Sequence, residues 1–287
     1  MKIISTPGFD DYELLDSGNA KRLERFGKYI IAKPDPQAVW NTKKDKLIWD
    51  KADATYIQNG NKGEWLNKNK VPEKWLLHYK NLSFYCRLTP FKHTGVFPEQ
   101  VLNWDFIQEK IEKAGREINV LNLFGYTGIS TLAAAASGAR VTHLDASKPA
   151  ITWARENQTA SKLLEKPIRW ILDDALKFVK REINRNVRYD AIIMDPPVYG
   201  HGPNGEIWNF NESFPKLMEL CQKVLSDNPL FVIVNAYAIS ASSIMLENVL
   251  KDYLSYLGGN FECGELAIEE KDSKRFLSTG IFARWFK

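Results

Sequence analysis

The chain has 287 residues, 44% of them hydrophobic and 26% charged, an ordinary composition for a soluble globular protein. Its length allows one large α/β domain and a smaller module. Its apolar runs are shorter than the about 20 residues that cross a bilayer, and Pro7 comes too early for a signal peptide. Three widely spaced cysteines fit neither a disulfide framework nor a zinc motif. These features predict a cytoplasmic protein without a membrane segment or a metal site.

The net charge of +4 is unevenly distributed along the chain. Residues 1–90 contain 16 Lys and Arg and 11 Asp and Glu, whereas the remainder contains 23 and 24. The basic part also contains Trp40, Trp49, Trp65 and Trp75, a combination that is compatible with nucleic-acid contact. A small β module with a solvated lysine surface would have the same charge, so this bias does not identify a partner.

Residues 1–90 have the pattern of short strands and turns. The segments with strand composition are YELLD, KYIIAKP, ATYIQ, GEWLN, WLLHY and LSFYCRL. Asn59, Gly60 and Asn61 form a hairpin signal between two of these segments. Because no stretch sustains the helical period of about 3.6 residues, we predict a small all-β module over residues 1–90.

From residue 99 onwards helices and strands alternate, and we predict one α/β domain over residues 91–287. The helical segment EQVLNWDFIQEKIEKAG ends at Gly115, where a helix C-cap belongs. Five apolar strands follow, separated by helical patterns: NVLNLF, RVTHLDA, IRWIL, YDAIIMD and LFVIVNA. Strands that are apolar on both faces indicate a parallel sheet between helices. The last two segments, GNFECGELAIEE and RFLSTGIFARWFK, predict a terminal antiparallel hairpin.

The segment VLNLFGYTGIS, residues 120–130, has the pattern of a buried strand, a glycine turn and a helix. The dinucleotide fingerprint would place Leu123, Gly125 and Gly128 at its three glycine positions, so the first glycine is missing and a pyrophosphate is disfavoured. Gly125 and Gly128 still allow a ligand to come close, although a bare tight turn would also explain them. Asp145 ends the next strand, where a carboxylate can accept hydrogen bonds from both ribose hydroxyls. We therefore favour an adenosine-bearing cofactor other than NAD, which argues against a dehydrogenase.

In IIMDPPVYG, residues Asp195, Pro196 and Pro197 follow the fourth strand of the α/β region. The carboxyl ends of parallel strands line the ligand crevice of an open sheet. Two prolines fix φ and offer no N–H, so the carbonyl groups of Asp195 and Pro196 can be held outwards as acceptors. This turn can hold a substrate amine or a ring edge, which predicts a catalytic role. The alternative is an ordinary strand-ending turn that Asp195 caps.

The motifs LNLFGYTG, LDAS, DDA and DPPVYG occur in an order that resembles class I S-adenosylmethionine-dependent methyltransferases. HTGVFPEQ, residues 93–100, is similar to a stretch that precedes the core in bacterial large-subunit rRNA base methyltransferases. GEIWNF and STGIFARW place the likeness in a subgroup without the additional N-terminal RNA-binding domain. The resemblance covers about residues 20–287. It implies a Rossmann-like seven-stranded methyltransferase sheet with an antiparallel last strand, and S-adenosylmethionine as the cofactor.

The resemblance also implies which residues contact this cofactor. Residues 124–127 would surround its methionine part, and Asp145 would hold the ribose. One of the paired acids Asp173 and Asp174 would face the adenine amino group. The implied set is Thr94, Gly95, Phe97, Gln100, Asn122, Phe124, Gly125, Tyr126, Thr127, Asp145, Ala146, Ser147, Asp173, Asp174 and Ala175. Asn157 is a candidate for supporting this set, and a solvent-facing helical asparagine is the alternative.

The positions of the cysteines indicate which type of acceptor atom is methylated. Methylation at cytosine C5 needs a transient cysteine adduct, and related enzymes carry that cysteine after the fourth or fifth strand. Here DPPVYGHG and VNAYAIS contain none, and Cys86 and Cys221 lie in patterns that are typical of buried structural thiols. We therefore favour a nitrogen acceptor. Asp195, with Pro196 and Pro197, would form the catalytic turn and orient that nitrogen or take its proton.

Residues 198–214, after this turn, are polar and rich in glycine and aromatic residues, and we predict a substrate-facing loop. Tyr199 and Trp208 are candidates for stacking on a base. Arg275, with Ser278 and Thr279, is predicted to face the same cleft. The alternative is a lid that touches only the surface of the protein itself.

The leading hypothesis is a cytoplasmic methyltransferase that acts on RNA, with a nitrogen of an rRNA base favoured as the acceptor. The alternatives are methylation of a small molecule or a protein, and a non-catalytic scaffold that binds S-adenosylmethionine. Asp145, Asp174 and the Asp195 turn are all intact, which argues against the scaffold. RNA is the predicted partner, and the sequence leaves the acceptor atom and the oligomeric state open.

Overall fold

The computed structural model describes residues 2–60, 62–67, 70–237 and 241–287. The chain forms two compact units. Unit 1 comprises Met1–Ile4, Asn103–Leu266 and Gly280–Lys287, and unit 2 comprises Ser5–Leu102 and Ala267–Thr279. Residues 91–102 and 267–279, which the prediction assigned to the α/β domain, belong to unit 2, and residues 1–4 belong to unit 1.

Short strands dominate the first part of the chain, and strands alternate with helices in the rest. The strands are β1 (Lys2–Thr6), β2 (Tyr12–Gly18), β3 (Lys21–Phe26), β4 (Tyr29–Pro34), β5 (Ala54–Asn59), β6 (Lys62–Leu66), β7 (Trp75–Tyr79), β8 (Leu82–Cys86), β9 (Asn119–Leu123), β10 (Arg140–Asp145), β11 (Ile168–Leu172), β12 (Ala191–Met194), β13 (Tyr199–His201), β14 (Ile207–Asn209), β15 (Phe231–Ala236), β16 (Asn260–Glu269) and β17 (Phe276–Phe286). The α-helices are α1 (Lys46–Trp49), α2 (Val101–Lys113), α3 (Ile129–Ala136), α4 (Lys148–Ala160), α5 (Ala175–Asn184), α6 (Phe210–Cys221) and α7 (Ser243–Leu254). Single 3-10 turns precede α2 and follow α6 and α7, at Pro98–Gln100, Gln222–Val224 and Ser255–Leu257.

The largest sheet has eight strands in the spatial order β1-β16-β17-β15-β12-β9-β10-β11. The strands from β15 to β11 in this order pair in parallel, and β17 runs antiparallel to β15. This confirms the predicted Rossmann-like sheet with an antiparallel last strand. β1 adds an eighth strand beside β16. The sequence analysis missed it because most of its side chains are exposed or half-buried and carry no core pattern.

The two faces of this sheet bury separate apolar clusters. On β12, Ile192 and Met194 belong to a cluster with residues of α5, α6 and α7. Ala191 and Ile193 belong to a second cluster with residues of α2 and α3. Burying one such aliphatic side chain contributes about 1.5–3 kcal/mol. Burial on both faces accounts for the uninterrupted apolar strands that indicated a parallel sheet.

Unit 2 contains a five-stranded sheet, β2-β3-β4-β5-β6, and the hairpin β7-β8, which confirms the predicted all-β module. The sequence analysis missed β3 because that strand is mostly charged. Its Glu24 is fully buried; the carboxylate pairs with Nζ of Lys33 at 2.9 Å and accepts a hydrogen bond from the Tyr12 hydroxyl at 2.8 Å. A buried carboxylate requires partners of this kind, which only the tertiary fold supplies.

The strand order of the sheet reverses at the carboxyl end of β9. The chain continues from β9 to β10 and β11 on one side, and returns to β12 and β15 on the other. Open α/β sheets bind ligands at such a switch point, outside the carboxyl ends of the strands. Leu123, the last residue of β9, pairs with Met194, the last residue of β12. The glycine loop and the Asp195 turn therefore begin side by side.

Candidate functional site

The loop after β9 holds two aromatic residues in left-handed backbone conformations. The angle φ is 57° at Phe124 and 47° at Tyr126, and it is 81° at Gly128, which precedes α3. The Gly125 N–H donates to the Leu144 carbonyl at 3.0 Å, which ties the loop to β10. Left-handed residues other than glycine cost about 1–3 kcal/mol each and persist where their surroundings enforce them. Such strain at the switch point indicates a functional segment.

Both glycines of this loop are required by neighbouring side chains. A Cβ atom at Gly125 would lie 2.4 Å from Cε1 of His143, and one at Gly128 would lie 2.8 Å from Cβ of Ala154. These separations are far below van der Waals contact, so packing excludes any larger residue at either position. Internal packing is thus a sufficient explanation of the glycine pair, and support for a ligand has to come from other residues.

Asp145 ends β10 with its carboxylate at the same edge of the sheet. Its Oδ2 accepts a hydrogen bond from the Tyr126 backbone N–H, and its Oδ1 accepts one from the Ser147 backbone N–H, both at 2.8 Å. Burial raises the pKa of Asp145, and the backbone N–H groups of Ser147, Tyr126 and Ala146 oppose that rise. Both oxygens keep lone pairs, so the carboxylate suits a ligand with two adjacent hydroxyl groups.

Asp173 and Asp174 precede α5 and have different partners. Oδ1 of Asp174 accepts a hydrogen bond from the Lys177 backbone N–H at 2.9 Å and caps the helix. Asp173 accepts one from the Asp174 N–H at 2.8 Å, and it also forms an ion pair with Arg181. Ala175, the first helical residue, is buried. Because Arg181 neutralises Asp173, Asp174 is the better candidate for offering a carboxylate oxygen to a ligand.

Asn122, implied as a cofactor contact, lies in a buried network beneath the loop. Its Nδ2 donates to Oγ1 of Thr131 at 2.8 Å, and that oxygen lies 2.9 Å from Nδ1 of His143. Burial lowers the pKa of His143 to about 3, so the imidazole is neutral near pH 7. Sequence reasoning missed Thr131 and His143, although a histidine inside the apolar strand RVTHLDA was a usable signal. Asn122 therefore stabilises the loop after β9 through this buried network.

Helix α4 also contacts the loop after β9. Asn157 is fully buried and does not face solvent, and its Nδ2 donates to the backbone carbonyl of Thr127 at 2.9 Å. The ring of Trp153 lies 6.2 Å from that of Tyr126, measured between centroids. These contacts explain why an asparagine stands on this helix, and they match the supporting position considered for it from the sequence.

Trp208 is buried, contrary to the prediction of a stacking surface. It is 4% exposed, its ring packs edge-on against Phe124 with centroids 4.8 Å apart, and Nε1 donates to the Pro197 carbonyl at 2.6 Å. The prediction was wrong because residues 198–214 are not an open loop: they form the β13–β14 hairpin and the start of α6. Tyr199, on the same hairpin, is 58% exposed and remains available to a base.

Asp195 and Pro196 lie where β12 meets this turn. Met194, just before them, pairs with Leu123 on one side and with Val234 on the other. Pro196 is buried and Asp195 is half-buried. A half-buried carboxylate next to the glycine loop can accept a hydrogen bond from a substrate amine.

The implied residues Thr94, Gly95, Phe97 and Gln100 lie in unit 2. Thr94 is 1% exposed, and its Oγ1 is enclosed without a hydrogen-bond partner among the described residues. Gly95 has a φ of 86°, which favours glycine. Phe97 precedes the 3-10 turn that contains Gln100, and its ring lies 5.4 Å from that of His93. An enclosed hydroxyl is compatible with ligand binding, and the contact of this segment with the cofactor stays a prediction.

Arg275, which was predicted to face the substrate cleft, is engaged within unit 2. Its Nε lies 3.4 Å from Oε2 of Glu270, and its Nη1 donates to the Asn41 carbonyl at 3.1 Å. The guanidinium also lies 5.7 Å from the centre of the Trp40 ring. These contacts account for its position without a substrate, so its substrate contact stays a prediction.

Three further observations concern membrane, metal and thiol chemistry. In the described part of the chain, no helix combines the length and the apolar character that a bilayer span needs. The same residues contain no group of three or more His, Cys, Asp or Glu side chains placed to hold a metal ion. Cys86, Cys221 and Cys263 are buried free thiols, and burial raises the pKa of each.

Comparisons with a family model, a solved structure and curated proteins all find methyltransferases. The model of a family described as S-adenosylmethionine-dependent methyltransferase matches residues 41–257. A SAM-dependent methyltransferase from Agrobacterium tumefaciens is 41% identical, with a TM-score of 0.97 over 100% of this chain and 93% of that chain. The ribosomal RNA large subunit methyltransferase K/L of Shewanella sp. (strain MR-4) is 31% identical over 53% of this chain and 21% of its own length. That of Pseudoalteromonas atlantica is 30% identical over 72% of this chain and 28% of its own length. The chain therefore spans less than a third of these curated relatives.

Proposed function

Because the chain belongs to the S-adenosylmethionine-dependent methyltransferase family, we propose that it methylates a base of large-subunit ribosomal RNA in the cytoplasm. The cofactor and the reaction class are those of the family. Two observations support the RNA substrate. Relatives at 30% and 31% identity are ribosomal RNA large subunit methyltransferases, and residues 1–90 carry an excess of basic residues.

The side chains at the sheet edge fit the proposed cofactor. When bound, S-adenosylmethionine supplies an activated methyl group on a sulfonium sulfur. Asp145 offers two oxygens with free lone pairs to the ribose hydroxyls, and its backbone bonds to Tyr126 and Ser147 hold it in place. Asp174 offers a carboxylate oxygen to the adenine amino group. The strained loop at residues 124–127 provides the backbone that closes around the methionine part.

The pairing of Leu123 with Met194 is the observation that carries the proposed chemistry. It sets the first residue of the cofactor loop, Phe124, beside the first residue of the substrate turn, Asp195. Holding two reactants together in this way can lower a barrier by about 7–11 kcal/mol. Asp195 accepts a hydrogen bond from the target nitrogen, turns its lone pair towards the methyl group and takes its proton.

A nitrogen acceptor suits this site better than cytosine C5. No cysteine follows β12 or β15 in the sequence, at DPPVYGHG or VNAYAIS. Cys221 is buried in α6, and burial raises the pKa of its thiol, so it is not an available thiolate nucleophile. A ring or amino nitrogen needs no covalent adduct before methylation. The exposed ring of Tyr199 beside the turn is a candidate platform for the target base.

Methyl transfer to unmodified RNA tests this proposal. Purified protein is incubated with tritiated S-adenosylmethionine and ribosomal RNA from cells of the source organism that lack the gene. We expect incorporation into the large-subunit RNA, and much less into RNA from cells that retain the gene, because that RNA is already methylated. No incorporation into the unmodified RNA would contradict the proposal.

The variant Asp195→Ala tests the role of the turn in the same assay. It should lose turnover while its affinity for S-adenosylhomocysteine stays within about tenfold of wild type, ~1.4 kcal/mol, because the side chain faces the substrate and not the cofactor. Calorimetric titration measures that affinity. Equal loss of turnover and affinity would remove Asp195 from the substrate side of the site.

A further inference from the structure

Three polar side chains in unit 1 form a buried hydrogen-bonded line that the methyl-transfer chemistry described above does not use. Nε of Arg284, on β17, donates to Oδ1 of Asn103, on α2, at 3.1 Å. Nδ2 of Asn103 in turn donates to Oδ1 of Asn235, on β15, at 2.9 Å. Asn103, Asn235 and Arg284 are 1%, 4% and 5% exposed. Burying polar groups is costly unless they are hydrogen-bonded, and in this line each side chain bonds to the next.

Arg284 determines the orientation of the two asparagine amide groups in this line. A guanidinium has five N–H donors and no acceptor, and burial lowers the pKa of Arg284 only to about 10, so it is protonated near pH 7. The Asn103 atom that faces it must therefore be Oδ1, which leaves Nδ2 to face Asn235. The Asn235 atom that receives this bond must then be Oδ1. If the Asn235 amide flipped, two NH2 groups would face each other in the core, and one hydrogen bond would be lost.

Because the hydrogen bonds run from Arg284 to Asn103 to Asn235, the Asn235 NH2 group lies at the end of the line that is away from Arg284. Among the described residues it has no hydrogen-bond acceptor, and it is not one of the side-chain atoms that are completely enclosed. A donor that is held in a fixed direction, is nearly buried and has no partner among the described residues is prepared for an acceptor from a bound ligand.

Asn235 lies beside the substrate turn. Val234 pairs with Met194, so the next residues along the two parallel strands, Asn235 and Asp195, are neighbours at the carboxyl edge of the sheet. Adjacent strands are about 4.8 Å apart, which brings the amide and the carboxylate within reach of one small planar group. Asp195 presents an acceptor there and Asn235 presents a donor.

We propose that Asn235 is a substrate-binding residue whose Nδ2 donates a hydrogen bond to a ring nitrogen or a carbonyl oxygen of the target base. Asn103 and Arg284 are positioning residues that hold this amide in the donating direction. Together with Asp195, Asn235 selects a base edge on which a donor stands next to an acceptor. This inference rests on the proposed function and adds the part of the substrate that the site reads.

Asn235→Asp separates this role from packing. The aspartate has the same size and still accepts the hydrogen bond from Asn103, but an oxygen replaces the outer NH2 group. We expect the kcat/KM for methyl transfer to unmodified ribosomal RNA to fall about tenfold or more. The affinity for S-adenosylhomocysteine and the melting temperature should stay close to those of wild type.

Asn103→Asp tests the positioning without a change in Asn235 itself. Its carboxylate still accepts from Arg284 but cannot donate, so the Asn235 amide turns its NH2 group towards residue 103 and its oxygen towards the substrate. We expect a loss of kcat/KM similar to that of Asn235→Asp, again with unchanged S-adenosylhomocysteine affinity. Asn228→Asp, a substitution of the same kind at an exposed position before β15, is the matched control and should retain wild-type activity.

The outcomes are distinguishable. If wild type methylates the RNA and both Asn235→Asp and Asn103→Asp do so equally well, the assignment of Asn235 is overturned and the proposed function stands. If either variant melts early or loses S-adenosylhomocysteine affinity in parallel with activity, the line of residues is structural and the assignment is again overturned. If wild type transfers no methyl group to the RNA, the proposed function is contradicted and this assignment with it.

Discussion

At the residue scale, the Asp145 carboxylate is held in place by hydrogen bonds and still has lone pairs available to a ligand. Its two oxygens accept hydrogen bonds from the Tyr126 and Ser147 backbone N–H groups, and each oxygen keeps a lone pair at the open edge of the sheet. An ion pair would fix the carboxylate equally well but would compete with hydroxyl groups for its lone pairs. This arrangement is what the proposed binding of the ribose hydroxyls requires.

The substitution Asp145→Ala should therefore weaken cofactor binding. Two ribose hydroxyls lose their acceptor, and the loop loses one bond at Tyr126, which together correspond to ~1–3 kcal/mol, or about five- to 150-fold in affinity for S-adenosylhomocysteine. Calorimetric titration of the purified variant measures this change. An affinity equal to that of wild type would remove Asp145 from the cofactor site.

His143, beneath the same loop, makes stability depend on pH. Its pKa is lowered to about 3 in the folded protein by burial, whereas an unfolded histidine titrates near about 6.5. Below the unfolded value the unfolded chain binds the additional proton, so stability is fully present above about pH 6.5 and is lost as the pH falls towards the folded value. Between pH 7 and pH 5 this single residue should lower the free energy of unfolding by about 2 kcal/mol.

Urea unfolding of wild type and of His143→Gln at both pH values checks this expectation. The glutamine variant lacks the titrating group, so its stability should fall less between pH 7 and pH 5, by about 2 kcal/mol, than that of wild type. The same decrease in both proteins would show that the imidazole is not held neutral in the fold.

At the scale of elements, Trp208 of the β13–β14 hairpin connects the turn at residues 195–197 to the loop after β9. Trp208 donates to the Pro197 carbonyl and packs on Phe124. Trp208→Phe should keep most of the ring packing but lose the hydrogen bond, which costs about 1 kcal/mol and loosens the turn. We expect faster amide hydrogen exchange in the non-proline residues from 198 to 208, and a lower kcat.

A variant on the same hairpin provides the comparison. Tyr199→Phe removes a hydroxyl from an exposed ring and should leave amide exchange in the hairpin unchanged. If Trp208→Phe also exchanged like wild type, the bond to Pro197 would not be what holds the turn.

The regular elements of unit 1 could be predicted from sequence because their signals are local. The runs that became β9, β12 and β15 are buried on both faces, and α2 and α4 have apolar residues at helical spacing. The features that the sequence did not predict depend on interactions with residues elsewhere in the chain. Charged β3 is stable because Lys33 and Tyr12 surround Glu24, and Trp208 is buried because the Pro197 carbonyl accepts its N–H. No local pattern records such pairings.

The site was predictable to a similar degree. The positions of Asp145 and Asp195 at the carboxyl ends of β10 and β12 could be predicted because strand ends are visible in the sequence. The Asn122–Thr131–His143 network and the line from Arg284 to Asn235 could not, because each joins residues on separate elements. The glycine pair was identified correctly as a turn, but its immediate cause is the packing of His143 and Ala154.

At the scale of the whole molecule, the two units are made from segments that are distant in sequence. Residues 267–279 belong with residues 5–102, where Ser17 bonds to Glu270 and Lys44 pairs with Asp272 at 2.5 Å. Unit 1 contains residues 124–128 and Asp195, the loop and the turn of the proposed site, whereas the basic excess lies in residues 1–90.

Nucleoside mass spectrometry of large-subunit ribosomal RNA from cells with and without the gene is the decisive measurement for the proposed RNA substrate. We expect one base methylated on nitrogen in the RNA of cells with the gene, and its absence from the RNA of cells without the gene. A plasmid copy of the wild-type gene should restore it, and a copy encoding Asp195→Ala should not, although that protein still binds S-adenosylhomocysteine. Identical methylation in the two strains, with the protein expressed in the first, would show that the protein does not methylate this RNA.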